Sequence, residues 1–241
     1  MVMVRSSVVA LAMVVSIAAA EPLRQAFSSD SNLASEAYFA LREGKPAQTA
    51  IDLYSEAIRR APDNYMSYYR RGVTLADQGQ LEPALADLDA AVRLSPAVKT
   101  SNDLGLRAWN SLLPDTHALH TVILVRSARA DILRQLKRPR DAIADLDAAI
   151  ALDPRPTTLW QRRGLLHMET GDTKAAIADF TVLLTRLENA PWRFARGMSY
   201  FVEGDLAAAE EDFTHAVRME PKNPTYARWL VKTQKKRGIP V

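Results

Sequence analysis

The sequence contains no cysteine, which excludes disulfide staples, thiol nucleophiles and thiolate metal sites together. It has no stretch of strictly alternating apolar and polar residues of the kind a half-buried strand needs. A G-x-S-x-G elbow, a phosphate loop, a dinucleotide fingerprint and an H-E-x-x-H pair are all missing. Charge of one sign is not in excess either: 31 Lys and Arg stand against 28 Asp and Glu, a net +3. That balance argues against a dedicated nucleic-acid surface. The apolar run over residues 8–20 is too short to span a bilayer comfortably. It follows Arg5 and precedes Glu21 and Pro22, and Ala18 and Ala20 supply the small residues of an A-x-A cleavage site. Residues 1–20 therefore read as a signal peptide cleaved after Ala20, and 21–30 as a flexible N-terminus. An exported chain, periplasmic or secreted, is expected, with membrane contact only through the signal segment if it stays uncleaved.

What is present is a repeat. ALADLDAAVRLSP (84–96) is matched by AIADLDAAIALDP (142–154), and more loosely by AIADFTVLLTRLE (176–188), AEEDFTHAVRMEP (209–221) and AIDLYSEAIRRAP (50–62). Successive starts lie 34, 58, 34 and 33 residues apart, the period of a stacked helix pair with one insertion of about 24 residues. Ala142, Ile143, Leu146, Ala149 and Ile150 show the apolar spacing best, and it marks one face of an α-helix. A second helix-length segment precedes each copy. Between the two stands Gly79, Gly171 or Gly204, nearly Gly44, or the run Lys137-Arg138-Pro139. Pro62, Pro96, Pro154 and Pro221 close units. An all-α solenoid of about five helix hairpins is expected, with units at 31–64, 65–98, 123–156, 157–189 and 190–223. An insertion occupies 97–122 and a capping helix 225–237.

Within these units Arg71 and Asp87, Arg129 and Asp145, Arg163 and Asp179, and Arg196 and Asp212 are each sixteen residues apart. A turn lies midway, so an antiparallel hairpin sets the two side by side. A catalytic dyad is needed once, whereas a fastening between helices is needed in every repeat. The recurrence therefore assigns the pairs to structure.

The residue order resembles the tetratricopeptide repeat, W-x2-L-G-x2-Y, then A-x3-F, then P. Tyr68, Gly72, Ala84, Leu88, Ala91 and Pro96 carry the resemblance in one unit, and Trp160, Gly164, Gly171, Ala176 and Phe180 in another. Gly197, Tyr200, Gly204, Ala209, Phe213, Ala216 and Pro221 carry it in a third. The resemblance is to an exported bacterial type. It implies a non-catalytic scaffold or adaptor that holds a peptide or partner protein along the concave surface of its first helices. Carried over, that surface comprises Tyr69, Arg70 and Val73; Ser127, Asp131 and Arg134; Gln161, Arg162, Leu165 and Met168; and Phe194, Met198 and Phe201. The lysines and asparagines with which chaperone-binding members clamp two carboxylates are replaced here by Tyr69, Val73, Ser127 and Ala128. Phe194 and Phe201 either anchor a peptide or pack against the C-terminal helix.

The insertion carries Leu104, Leu106, Trp109, Leu112 and Leu113, and reads as a short extra helix with Ser101, Asp115 or Thr116 as N-caps. His117 and His120, one turn apart beside Asp115, are the residues for the alternative reading, a metal-dependent enzyme or accessory subunit built on 97–122. They lack a third strong ligand, so no metal or other cofactor is expected, and no nucleic-acid partner. His167 and His215 are assigned to packing or solvent. The oligomeric state is left open by the sequence.

Overall fold

A computed structural model describes residues 29–98, 100 and 114–240. The expected signal peptide and residues 101–113 of the insertion lie outside the described residues. Those described form eleven α-helices and no strand. In chain order these are α1 Ser29–Arg42, α2 Ala47–Arg60, α3 Tyr65–Asp77, α4 Leu81–Leu94, α5 Pro114–Gln135, α6 Pro139–Leu152, α7 Thr157–Thr170, α8 Thr173–Arg186, α9 Ala190–Glu203, α10 Leu206–Met219 and α11 Pro224–Lys236. They fall into two compact units, residues 1–94 with α1–α4 and residues 95–241 with α5–α11. Within each unit every helix packs against the next in sequence, as hairpins stacked in a row do.

Local chemistry sets the boundaries. Asp172 and Asp205 accept the backbone N–H of Ala175 and Ala208 at the starts of α8 and α10, and Asn189 does the same for Trp192 in α9. Pro139 and Pro224 open α6 and α11, where a missing N–H costs nothing. Gly171 (φ 81°) and Gly204 (φ 95°) end α7 and α9 in the left-handed conformation, which points the chain back along the hairpin. Lys137 takes this role between α5 and α6 with φ 61°, the one non-glycine residue of positive φ among those described. Its Cβ is strained there, so Lys137→Gly is expected to stabilise the protein by about 1 kcal/mol, read as a rise in thermal midpoint.

The helix after the insertion begins at Pro114, slightly before the expected start near Thr116. Asp115 and Thr116 thus lie inside its first turn. The closing helix begins at Pro224, one residue ahead of the expected 225, under a cap in which Asn223 accepts from Thr225 N at 3.1 Å.

The core lies inside the hairpins. Ala50, Ala84, Ala142, Ala176 and Ala209, at the same place in every second helix, are fully buried. Their small size lets the paired helix approach. Where the two helices come closest a glycine faces a large residue: a Cβ on Gly164 would stand 3.1 Å from the Phe180 ring, and one on Gly197 2.9 Å from that of Phe213. A Cβ on Gly72 would likewise stand 3.1 Å from Leu88, and in the α5–α6 hairpin the same sixteen-residue spacing matches Ala130 with Leu146, both buried. No described helix is long and apolar enough to cross a membrane.

Candidate partner-binding face

All four Arg–Asp pairs are two-pronged. Arg71 donates from Nε and Nη2 to the Asp87 carboxylate at 2.7 and 2.7 Å, and Arg129 to Asp145 at 2.7 and 2.7 Å. Arg163 holds Asp179 at 2.9 and 2.6 Å, and Arg196 holds Asp212 at 2.8 and 2.8 Å. The carboxylates are buried, between 1% and 6% exposed, so each pair is a clamp inside its hairpin. Hydrogen bonding to these carboxylates raises the already high pKa of Arg71, Arg163 and Arg196. The third guanidinium nitrogen reaches back one hairpin. Arg71 Nη1 donates to Ser55 Oγ at 2.9 Å, Arg163 Nη1 to Asp147 Oδ1 at 2.6 Å and Arg196 Nη1 to Thr181 Oγ1 at 3.1 Å. Each of these arginines therefore ties three helices. Arg126 and Arg193, one turn ahead of the clamp arginines, add bonds to Asp145 at 3.3 Å and Asp212 at 2.9 Å.

The surface left for a partner is the side of the first helices that these clamps do not use. In the first unit Arg70 is held by α1: Nη1 lies 3.4 Å from the Ala34 carbonyl and the guanidinium 5.3 Å from the Tyr38 ring centre. Tyr69 and Val73 are half-buried, and burial pushes the Tyr69 phenol up against the opposing charge of Arg70.

In the second unit α5 and α7 are joined by charged groups. Arg162 pairs with Asp131 at 3.2 Å and also donates to Ser127 Oγ, while Arg134 Nε donates to Glu169 Oε1 at 2.8 Å. Burial pushes the Asp131 carboxyl above the usual range, with Arg162 and Arg134 acting in the opposite sense. Between these pairs lies a cleft of about 40 Å³ walled by Asp131, Arg134 and Arg162 and floored by Ala130, Leu146 and Leu166. Leu165 stands at its edge, 39% exposed. Gln161 is half-buried, and Met168 packs against the cluster around Phe180.

Phe194 and Phe201 of α9 face the closing helix. The Phe194 ring lies 4.9 Å from that of Tyr226 and 5.5 Å from that of Phe213, and Phe201 meets Trp229 edge-on at 5.3 Å. Both rings pack against the C-terminal helix, one of the two roles open to them in the sequence. Met198, between them on α9, is half-buried. Glu169, Arg126 and Arg193 were not singled out from the sequence. Their signals are a spacing of 35 residues for Arg134 and Glu169, one repeat period, and a position three residues before a clamp arginine for the others.

Among the described residues no cluster of three or more His, Asp and Glu side chains is placed to hold a metal ion. The side chains of Asp115 and His117 lie outside the described ones. His167 is mostly buried beside the third clamp, its Nε2 4.0 Å from Asp179 Oδ2, and His215 on α10 is half-buried.

The tetratricopeptide repeat models match residues 36–98, 127–191 and 193–223. The human tetratricopeptide repeat protein 13 is 29% identical over 206 residues, covering 83% of this chain and 22% of that protein. The rat DnaJ homolog subfamily C member 3 is 32% identical over 82 residues, which cover 34% of this chain and 16% of that protein. The chain thus spans about a fifth of the length of these curated relatives. Among solved structures, YrrB, described as a TPR protein with an unusual peptide-binding site, superposes with a TM-score of 0.68 at 14% identity, over 87% of this chain and 95% of YrrB. MamA gives 0.64 at 18% identity over 82% of this chain and 94% of MamA. At such identities the likeness is one of fold: stacked helix hairpins without strands. With family models covering well over half of its length, the chain belongs to the tetratricopeptide repeat family.

Proposed function

We propose that this chain is a non-catalytic, exported scaffold that holds a peptide or partner protein against the first helices of its second unit, on the face formed by α5 and α7. The observation that carries this reading is the cleft between Asp131, Arg134 and Arg162, with the solvent-reaching Leu165 at its edge. Leu165, 39% exposed among these charged groups, is open to a partner side chain. A partner side chain laid over it would gain apolar burial, while the surrounding charges offer hydrogen bonds that fix register. The family supports scaffolding as the general activity, and the apolar run at 8–20 supports export.

The test is a photocrosslinker placed at position 165 and, as a control, at Arg140 on the exposed side of α6, in cells that express the protein natively. Position 165 is expected to yield a discrete adduct that Arg162→Glu abolishes without lowering the thermal midpoint by more than a few degrees. Equal labelling from positions 165 and 140, or an adduct indifferent to Arg162→Glu, would overturn the assignment.

A further inference from the structure

The closing helix α11 carries Arg228, Lys232, Lys235 and Lys236 and no acidic residue. Arg228, Lys232 and Lys236 recur every four residues, which aligns them along one face of the helix. Elsewhere in this unit cations on the first helices are matched: Arg162 has Asp131, Arg134 has Glu169, and at the end of the chain Arg237 has Glu210. Among the described residues no carboxylate pairs with Arg228, Lys232 or Lys236. Two of the three lie over aromatic rings instead. Lys232 Nζ is 4.1 Å from the Trp229 ring centre and 5.3 Å from that of Phe201, and Lys236 Nζ is 4.7 Å from that of Phe201. Val202, next to Phe201 on α9, is 67% exposed.

Laid on a ring, an ammonium is partly stripped of water and held in place, so pairing it with a carboxylate needs less ordering than for a free surface lysine. Two such cations one turn apart, both over the Phe201 ring, complement a chain segment that presents acidic side chains at matching spacing. An anionic bilayer fits less well. An interfacial helix enters lipid through a broad apolar face, and in α11 Val231 is exposed at 39% while Tyr226 is buried against Phe194 and Trp229 packs on Phe201 and Phe213.

We propose that the α9–α11 face binds an acidic segment of a partner protein, its carboxylates on Lys232 and Lys236. This rests on the scaffold reading above and gives the partner a chemistry. The clamp that tetratricopeptide proteins place on their earlier helices is not involved, since the cations here belong to the closing helix.

The test is an anisotropy titration of the purified chain with a short labelled peptide of alternating Glu and Leu. Lys232→Glu/Lys236→Glu is expected to weaken binding at least about tenfold, and Lys232→Gln/Lys236→Gln by less. Arg140→Glu/Lys222→Glu, which makes the same change in net charge off this face, should stay within about twofold, as should Leu165→Glu. A peptide of alternating Lys and Leu should not bind. The proposal is overturned if wild type does not bind the Glu-Leu peptide, if the two charge reversals weaken it equally, or if phosphatidylserine vesicles retain the chain through Lys232 and Lys236 while the peptide does not compete. Loss in Leu165→Glu with binding kept in Lys232→Glu/Lys236→Glu would sink this proposal and leave the α5–α7 scaffold standing; the reverse pattern supports the α9–α11 face alone.

Discussion

Asp212→Asn is expected to destabilise the second unit by about 3 kcal/mol, one of the two largest effects of a single substitution in this protein. The carboxylate is 1% exposed and accepts three charge-assisted hydrogen bonds, two from Arg196 and one from Arg193. Asparagine keeps the shape, loses the charge and turns one acceptor into a donor facing a guanidinium. Arg196 is then left with most of its surface buried and its charge unmatched, at 16% side-chain exposure, while Arg193 keeps its pair with Glu188 at 2.6 Å. Breaking a fully buried ion pair by removing one partner costs about 3–5 kcal/mol, and the residual exposure of the arginines places this case at the low end. The thermal midpoint should fall by about 6–12 °C in a melt followed by circular dichroism. Asp141→Asn is the control. Its pair with Arg138 is half-exposed, so the change should stay within about 0.5 kcal/mol. Equal effects of the two substitutions would remove the clamp assignment from all four hairpins.

Phe213→Ala is expected to cost about 3–5 kcal/mol and to loosen α11. The ring is fully buried, fills the space opposite Gly197, and supports Phe194 and Trp229, the residues on which the closing helix rests. The Trp229 fluorescence should shift to the red, because its packing against α9 and α10 depends on this ring. A paired substitution tests the size matching directly. Gly197→Ala alone puts a methyl 2.9 Å from the ring carbons, an overlap of about 1–3 kcal/mol partly offset by the better helix propensity of alanine. Gly197→Ala/Phe213→Leu recreates the Ala130 and Leu146 combination of the α5–α6 hairpin. It should therefore lose clearly less than the sum of its single changes. Additive losses would show that the glycine is not there to admit the ring.

Much of the hairpin was legible because the contacts inside it are nearly local. Once a turn is placed at Gly171 or Gly204, helix periodicity alone brings residue i beside i+16, and the Arg–Asp spacing predicts the clamp without coordinates. The same holds for Gly164 opposite Phe180. Contacts between hairpins were less legible. Arg163 reaching Asp147, or Arg134 reaching Glu169, depends on the angle at which one hairpin lies on the next, and that angle is set by the combined volume of many side chains. The fate of Phe194 and Phe201 was ambiguous for a related reason. On any first helix an apolar residue at these places faces either a partner or the next helix, and only the position of α11 decides between them.

The amino-acid order by itself determined the all-helical class, the repeat period, the turns and the clamp in each hairpin. All of these follow from helix periodicity and the conformational limits of glycine and proline. The tertiary structure decided which surfaces remain free. It placed Arg70 against α1, joined Arg162 to Asp131, and laid Lys232 and Lys236 over aromatic rings with no acid among the described residues to meet them. Whether a side chain is matched or left open depends on neighbours one or more repeats away in sequence, and packing, not periodicity, selects those neighbours.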